Sequence, residues 1–234
     1  ESEDPVLLRA IVIACIEANR QFRIDASDWL DHLKHLCSDT PHDRGLFAYY
    51  KGLGALIAGN RRAASVAFKL AATTLLAHEH PYHSALSWYR YGFVSFESGH
   101  LDEAERSFFR CLSIVDQHNP VASKGLQSLL ALTALARSET DLAIDILNTS
   151  LKWVSEQGQL HHVAEDHYVL GLAHQIGGDL NAARFHYRHS LRISELVHRN
   201  PDYLITRALL ATAEAKAGAV MEARKWMALA TEQS

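Results

Sequence analysis

Apolar positions recur along this chain at helical spacing. In "SGHLDEAERSFFRCL", residues 98–112, Ala104, Phe108 and Cys111 stand at i, i+4 and i+7 among mostly charged or polar neighbours. That spacing places all three on one face of an α-helix. Four other segments carry the same pattern: "GNRRAASVAFKLA", "SETDLAIDILNTS", "GGDLNAARFHYRHS" and "GAVMEARKWMALA". Their alanines are Ala64, Ala143, Ala183 and Ala223, so with Ala104 the successive spacings are 40, 39, 40 and 40 residues. Five copies at one period predict a helical repeat protein.

Further columns move in step with these alanines. Five residues before each stand Gly59, Gly99, Ser138, Gly178 and Gly218, where a glycine supplies the left-handed residue that ends a first helix. Twelve before stand Gly52, Gly92, Ala131, Gly171 and Ala211, and four after stand Phe68, Phe108, Leu147, Tyr187 and Met227. The small residues let two helix axes approach, and the bulky residue fills the space between them. Asn60, Asp102, Asp141 and Asp179 fall where a second helix begins and a capping or acidic side chain is favoured. Each unit therefore reads as two antiparallel helices joined by a tight turn.

This pattern resembles the tetratricopeptide repeat. The "G-x-x-x-x-A-x-x-x-F-x-x-A" half is met in all five copies, and "WYRYGFVSFESG" supplies the upstream half through Trp88, Tyr91 and Gly92. The period departs from the common 34 residues, as in the longer repeats of large bacterial regulators, and the surplus is expected to lengthen the helices and the connections. The resemblance implies an all-α, right-handed solenoid over residues 1–234, with five repeats at 42–234 and a degenerate N-terminal pair at 1–40. In that pair Ala26, Leu30 and Leu33 keep the i, i+4, i+7 relation. The loops between repeats are expected at "AHEHPYH", "DQHNPVAS", "SEQGQLHH" and "VHRNPDY".

Composition narrows the function. Five prolines and 12 glycines are too few for the turns of an all-β fold. A formal charge of -4, with no long basic cluster, argues against direct nucleic-acid binding. No apolar run reaches the ~20 residues that span a bilayer. Cys15, Cys37 and Cys111 are odd in number and lack a C-x-x-C pair, which suits reduced thiols and a cytoplasmic setting. The chain begins at Glu1 without a methionine, so a piece of a longer protein is expected.

Candidate chemistry is sparse. "HEHPYH" (His78, His80, His83, with Glu79) and "HHVAEDH" (His161, His162, Glu165, His167) are the densest histidine groups, and each reads more simply as polar loop or helix surface than as a metal site. His186 and His189 are expected on a solvated outer face, and His174 half-buried. Asp102–Glu103 and Glu165–Asp166 are read as favourable charge at helix starts. There is no Gly-rich phosphate loop, H-E-x-x-H or G-x-S-x-G. The chain is read as non-enzymatic, with no metal and no cofactor.

In the resembled family, partners bind the concave surface lined by the first helix of each pair. Carried onto this sequence, those positions include Tyr49, Leu53, Tyr89, Phe93, Phe96, Tyr168 and Gln175, with Arg90 beside Tyr89. The lining is apolar and aromatic where chaperone-type members carry a lysine–asparagine carboxylate clamp. It suits an amphipathic helix or an extended apolar segment, from another protein or from another domain of the same chain. A sensor of a small molecule or signalling peptide within a bacterial transcription regulator is the second reading. A spacer or homodimerisation domain, with the inner positions packed on one another, is the third.

Overall fold

Five turns share one device. Gly59, Gly99, Gly178 and Gly218 have φ of +74°, +77°, +87° and +81°, and Ser138 takes the same left-handed conformation at +65°. The residue after the turn reaches back five positions: Asn60 N–H to Ala55 O at 2.8 Å, His100 N–H to Ser95 O at 2.9 Å, Glu139 N–H to Ala134 O at 2.9 Å, Ala219 N–H to Glu214 O at 2.9 Å. This closure satisfies carbonyls that a helix end leaves open. The expected glycine column is therefore a column of helix stops, one of them filled by a serine.

The computed structural model describes residues 27–37, 40–75, 81–118, 120–197 and 201–231. Cys15, Asp25, Ala26, His78, Glu79 and His80 lie outside the described residues, as do the first helix of the expected N-terminal pair and the first half of "HEHPYH". The described residues form helices and turns, with no strand among them. They are α1 (Ser27–Leu36), α2 (Pro41–Ile57), α3 (Arg61–Thr74), α4 (Pro81–Glu97), α5 (Leu101–His118), α6 (Pro120–Ala136), α7 (Thr140–Glu156), α8 (Leu160–Ile176), α9 (Leu180–Leu196), α10 (Pro201–Lys216) and α11 (Val220–Thr231). Most are 16 to 18 residues long, which accounts for the extended period.

The helices fall into two compact units, divided between Asn119 and Pro120. In the first unit α2 packs on α3 and α4 on α5, and α3 joins the two pairs by packing on α4. Its core holds Leu33 of α1, Tyr49, Tyr50 and Leu53 of α2, Phe68 of α3, and Tyr91 and Val94 of α4. In the second unit the pairs are α6/α7, α8/α9 and α10/α11, with α7 on α8 and α9 on α10. The connection expected as a loop at "SEQGQLHH" is instead a three-residue turn. Gly158 has φ +65° and Gln159 N–H bonds Val154 O at 2.9 Å, so a between-repeat joint copies the within-repeat stop.

Two local rules set the helix pairs. Caps fix where the second helices start: Asn60 Oδ1 accepts from Ala63 N–H at 3.0 Å, and Asp179 Oδ1 accepts from Ala182 N–H at 3.0 Å. The small-to-bulky pairing fixes how closely the helices meet. A Cβ built on Gly52, Gly92 or Gly171 would lie 2.7, 2.7 or 2.5 Å from the ring of Phe68, Phe108 or Tyr187. Where the small residue is alanine, at Ala131 and Ala211, the residue 16 places on is aliphatic, Leu147 or Met227. Ala64, Ala104, Ala143 and Ala183 are fully buried and Ala223 nearly so. Met227, in the last pair, is 46% exposed.

Candidate functional site

In the first unit the expected binding residues divide into two groups. Tyr49 and Leu53 were expected on an open inner surface, yet they are 3% and 1% exposed. Tyr49 meets Tyr50 edge-on at 5.1 Å between centroids, the Phe68 ring at 5.8 Å and the His83 ring at 6.3 Å. Helices α3 and α4 enclose it, so both residues are core rather than surface. Tyr89, Arg90, Phe93 and Phe96 of α4 are only half-buried. Tyr89 and Phe93, one turn apart, have rings near parallel at 18° with centroids 6.4 Å apart. The Arg90 guanidinium lies 5.5 Å from the Tyr89 centroid, and its buried Nε has no hydrogen-bond partner among the described residues. An N–H so placed gains by meeting an acceptor. Behind this face, Trp88 carries the Arg110 guanidinium 4.5 Å over its ring.

In the second unit Tyr168 and Gln175 lie two turns apart on α8 and are half-buried. Tyr168 packs against both apolar clusters of that unit. It also borders a narrow cleft with His161, Ala164, Glu165, Ser190, Ser194 and Val197. Gln175 Oε1 accepts from the Tyr187 hydroxyl at 3.1 Å, which leaves its amide N–H group as the part that can serve a partner.

The structure also assembles polar groups that the sequence scattered. His186 and His189 do not sit apart on a solvated face. His167 Nδ1 and His186 Nδ1 are 2.9 Å apart, so one donates and the other accepts. His174 stacks on His186 with centroids 5.2 Å apart, and His189 lies 5.3 Å from His167. Burial, and then repulsion from the neighbouring rings, pushes His167 and His186 down to about 4. Asp166 is not at a helix start: it lies two turns into α8 and is 1% exposed. Ser128 of α6 donates to its Oδ1 at 2.9 Å, while Oδ2 has no partner among the described residues. Burial raises Asp166 to about 6, against the pull of the Ser150 and Ser128 hydroxyls. His162 and Glu165 do share a helix face, at 3.5 Å.

Cys111 is 3% exposed, and burial pushes its thiol up to about 12, so it packs rather than reacts. Among the described residues no group of three or more His, Cys, Asp or Glu side chains could hold a metal ion. No described helix is long and apolar enough to cross a membrane.

These features define the class: a tetratricopeptide-like helical-repeat solenoid. No family model matches the chain, and no curated protein is similar to it in sequence. Solved structures are. The apo form of RapI has a TM-score of 0.78 at 17% identity, covering 99% of this chain and 67% of RapI. NprR in complex with its cognate peptide NprX has 0.73 at 17% identity, covering 98% of this chain and 68% of NprR. A Rap protein complexed with competence and sporulation factor has 0.77 at 16% identity, covering 97% of this chain and 64% of the other. At such identity the likeness establishes the fold, and the chain spans about two thirds of those proteins.

Proposed function

We propose that this chain is a non-catalytic module that binds a protein or peptide segment through the first helices of its repeats, as part of a regulatory or signalling protein. The observation that carries this reading is the α4 face. Tyr89 and Phe93 offer two near-parallel rings, and Arg90 beside them holds a buried N–H without an acceptor. Aromatic rings supply area at low entropic cost, and a peptide carbonyl or carboxylate would satisfy the guanidinium. Phe96 extends the face, and in the second unit Tyr168 and the free amide of Gln175 are the corresponding groups. Two of the similar structures contain a peptide or a named factor, which supports a peptide as the partner class.

A peptide-display selection on the immobilised chain tests the proposal. Selected sequences are expected to share an apolar or aromatic residue, and Tyr89→Ala or Phe93→Ala to weaken them by about 2 kcal/mol, roughly 30-fold. Selected peptides that bind both variants, and Tyr168→Ala, with unchanged affinity would sink the reading. A signalling-peptide sensor within a transcription regulator is the narrower form of the same proposal. It predicts that a soluble peptide changes the chain's compactness in small-angle scattering. Self-association through the same face predicts instead a concentration-dependent mass abolished by Phe93→Asp.

A further inference from the structure

Arg184, Arg188 and Arg192 stand four residues apart in "AARFHYRHSLR" on α9. They form one row along the helix in steps of about 6 Å. With Asn181, Phe185 and His189 they line an open groove of about 390 Å³. Glu214 of α10, 1% exposed, holds two of the guanidinium groups from beneath: its Oε2 accepts from Arg184 Nη1 at 3.1 Å, and its Oε1 accepts from Arg188 Nη2. Arg184 Nη2 also donates to Asn181 Oδ1, and Arg192 Nη2 to His189 Nδ1 at 2.9 Å.

The charge around the groove is one-sided. Three guanidinium groups meet one buried carboxylate, and Glu195 on the same helix is not part of the lining. The His189 ring adds no charge near neutral pH, because burial and then Arg192 lower its pKa. A positive ridge thus stands on a chain whose formal charge is -4. Glu214 and Asn181 fix the forks of Arg184 and Arg188 before anything binds, which lowers the entropic cost of an encounter.

We propose that this ridge docks an acidic segment of a partner protein, bound extended with carboxylates at alternate residues. Alternate residues of an extended chain lie roughly 6.6–6.8 Å apart, close to the step between the arginines. Three side chains at i, i+2 and i+4 can then each face a guanidinium fork, the geometry in which carboxylates bind most strongly. A single small oxyanion cannot span a row about 12 Å long. Phe185, 54% exposed with its ring 4.3 Å from that of His189, supplies a flat apolar seat for one side chain of the segment. The ridge lies on a second helix and shares no residue with the Tyr89–Phe93 face, so the two proposals stand or fall separately.

The test is fluorescence anisotropy of the full chain with a labelled heptapeptide, Glu-Ala-Glu-Phe-Glu-Ala-Glu, and its all-glutamine counterpart. The acidic peptide is expected to bind at low salt and the glutamine peptide not to. Arg192→Glu, which leaves both Glu214 ion pairs intact, is expected to weaken binding about tenfold or more. Arg188→Ala and a rise in salt act the same way, while Tyr89→Ala changes nothing. The proposal is overturned if the acidic peptide does not bind, if the glutamine peptide binds equally, or if folded Arg192→Glu binds as tightly as the parent chain. Complete displacement by an equal concentration of inorganic phosphate would mean a simple ion site and overturn it as well.

Discussion

Substituting Gly92 by alanine asks whether the small-to-bulky pairing governs helix contact. The added Cβ would lie 2.7 Å from Phe108 Cε1, 2.8 Å from Cδ1 and 3.1 Å from Ser107 Cβ. Ordinary carbon contacts are about 3.5–4.0 Å. Phe108 is fully buried, so its ring has little room to retreat. Overpacking of this kind costs about 1–3 kcal/mol, and alanine's better helix propensity returns about 1 kcal/mol. A net loss of up to about 2 kcal/mol is expected. Phe108→Leu alone opens a gap, at a similar order of cost. Together the two changes recreate the alanine–leucine pair found at Ala131 and Leu147. The double variant should therefore be more stable than the sum of the singles predicts, by about 1–2 kcal/mol, within the range of coupling for touching residues. Urea unfolding followed by circular dichroism measures all four proteins, and Gly92→Ala combined with Tyr187→Leu serves as the uncoupled control. Strict additivity of Gly92→Ala with Phe108→Leu would refute the reasoning.

Three further predictions concern the second unit. Ser138→Gly relieves a left-handed residue that costs about 1–2 kcal/mol with a side chain, and after the larger unfolded-state entropy of glycine a gain of roughly 0.5–1 kcal/mol in denaturant stability is expected. Asp166 has its folded pKa raised from 3.8 to about 6, so its contribution is fully present below pH 3.8 and is lost as pH rises through 6. Asp166→Asn is thus expected to stabilise the chain above pH 6 by up to roughly 3 kcal/mol and to leave it little changed at pH 4, read from unfolding midpoints at each pH. His167 and His186 have folded pKa values depressed from 6.5 to about 4, so the unfolded chain takes up protons that the native pair refuses. Stability should fall as pH drops from 6.5 toward 4, less steeply in His186→Gln; an identical slope in that variant would remove the histidine pair as the cause.

The repeat was legible because five imperfect copies average out one another's exceptions. Ser138 stands in the glycine column by position alone, and the backbone there obeys the position rather than the residue type. The histidine cluster was not legible. His167 and His174 lie on one helix and His186 and His189 on the next, and spacing within a helix says nothing about registry across the turn. Asp166 was misread for a related reason: its neighbour Glu165 suggested a helix start, but the start lies earlier, at Leu160. Tyr49 and Tyr89 occupy the same repeat position yet differ in burial, since His83 and Phe68 crowd the former. Gly158 carried a readable signal, a glycine directly after an apolar-patterned helix, that was absorbed into an expected loop.

The exchange of glycine–aromatic pairs for alanine–aliphatic pairs bears on how such a chain can be rearranged. Each first helix is fitted to the kind of second helix that follows it, glycine to an aromatic residue and alanine to an aliphatic one 16 places on. A chain recombined between repeats would carry every matched pair intact. One recombined at the tight turn between a glycine repeat and an alanine repeat, such as those of Gly92 and Ala131, would set alanine against phenylalanine in one product and glycine against leucine in the other, a clash and a void. The heritable unit of this solenoid is therefore the hairpin bounded by its connections, and the turn inside it is the one place where a crossover is punished twice.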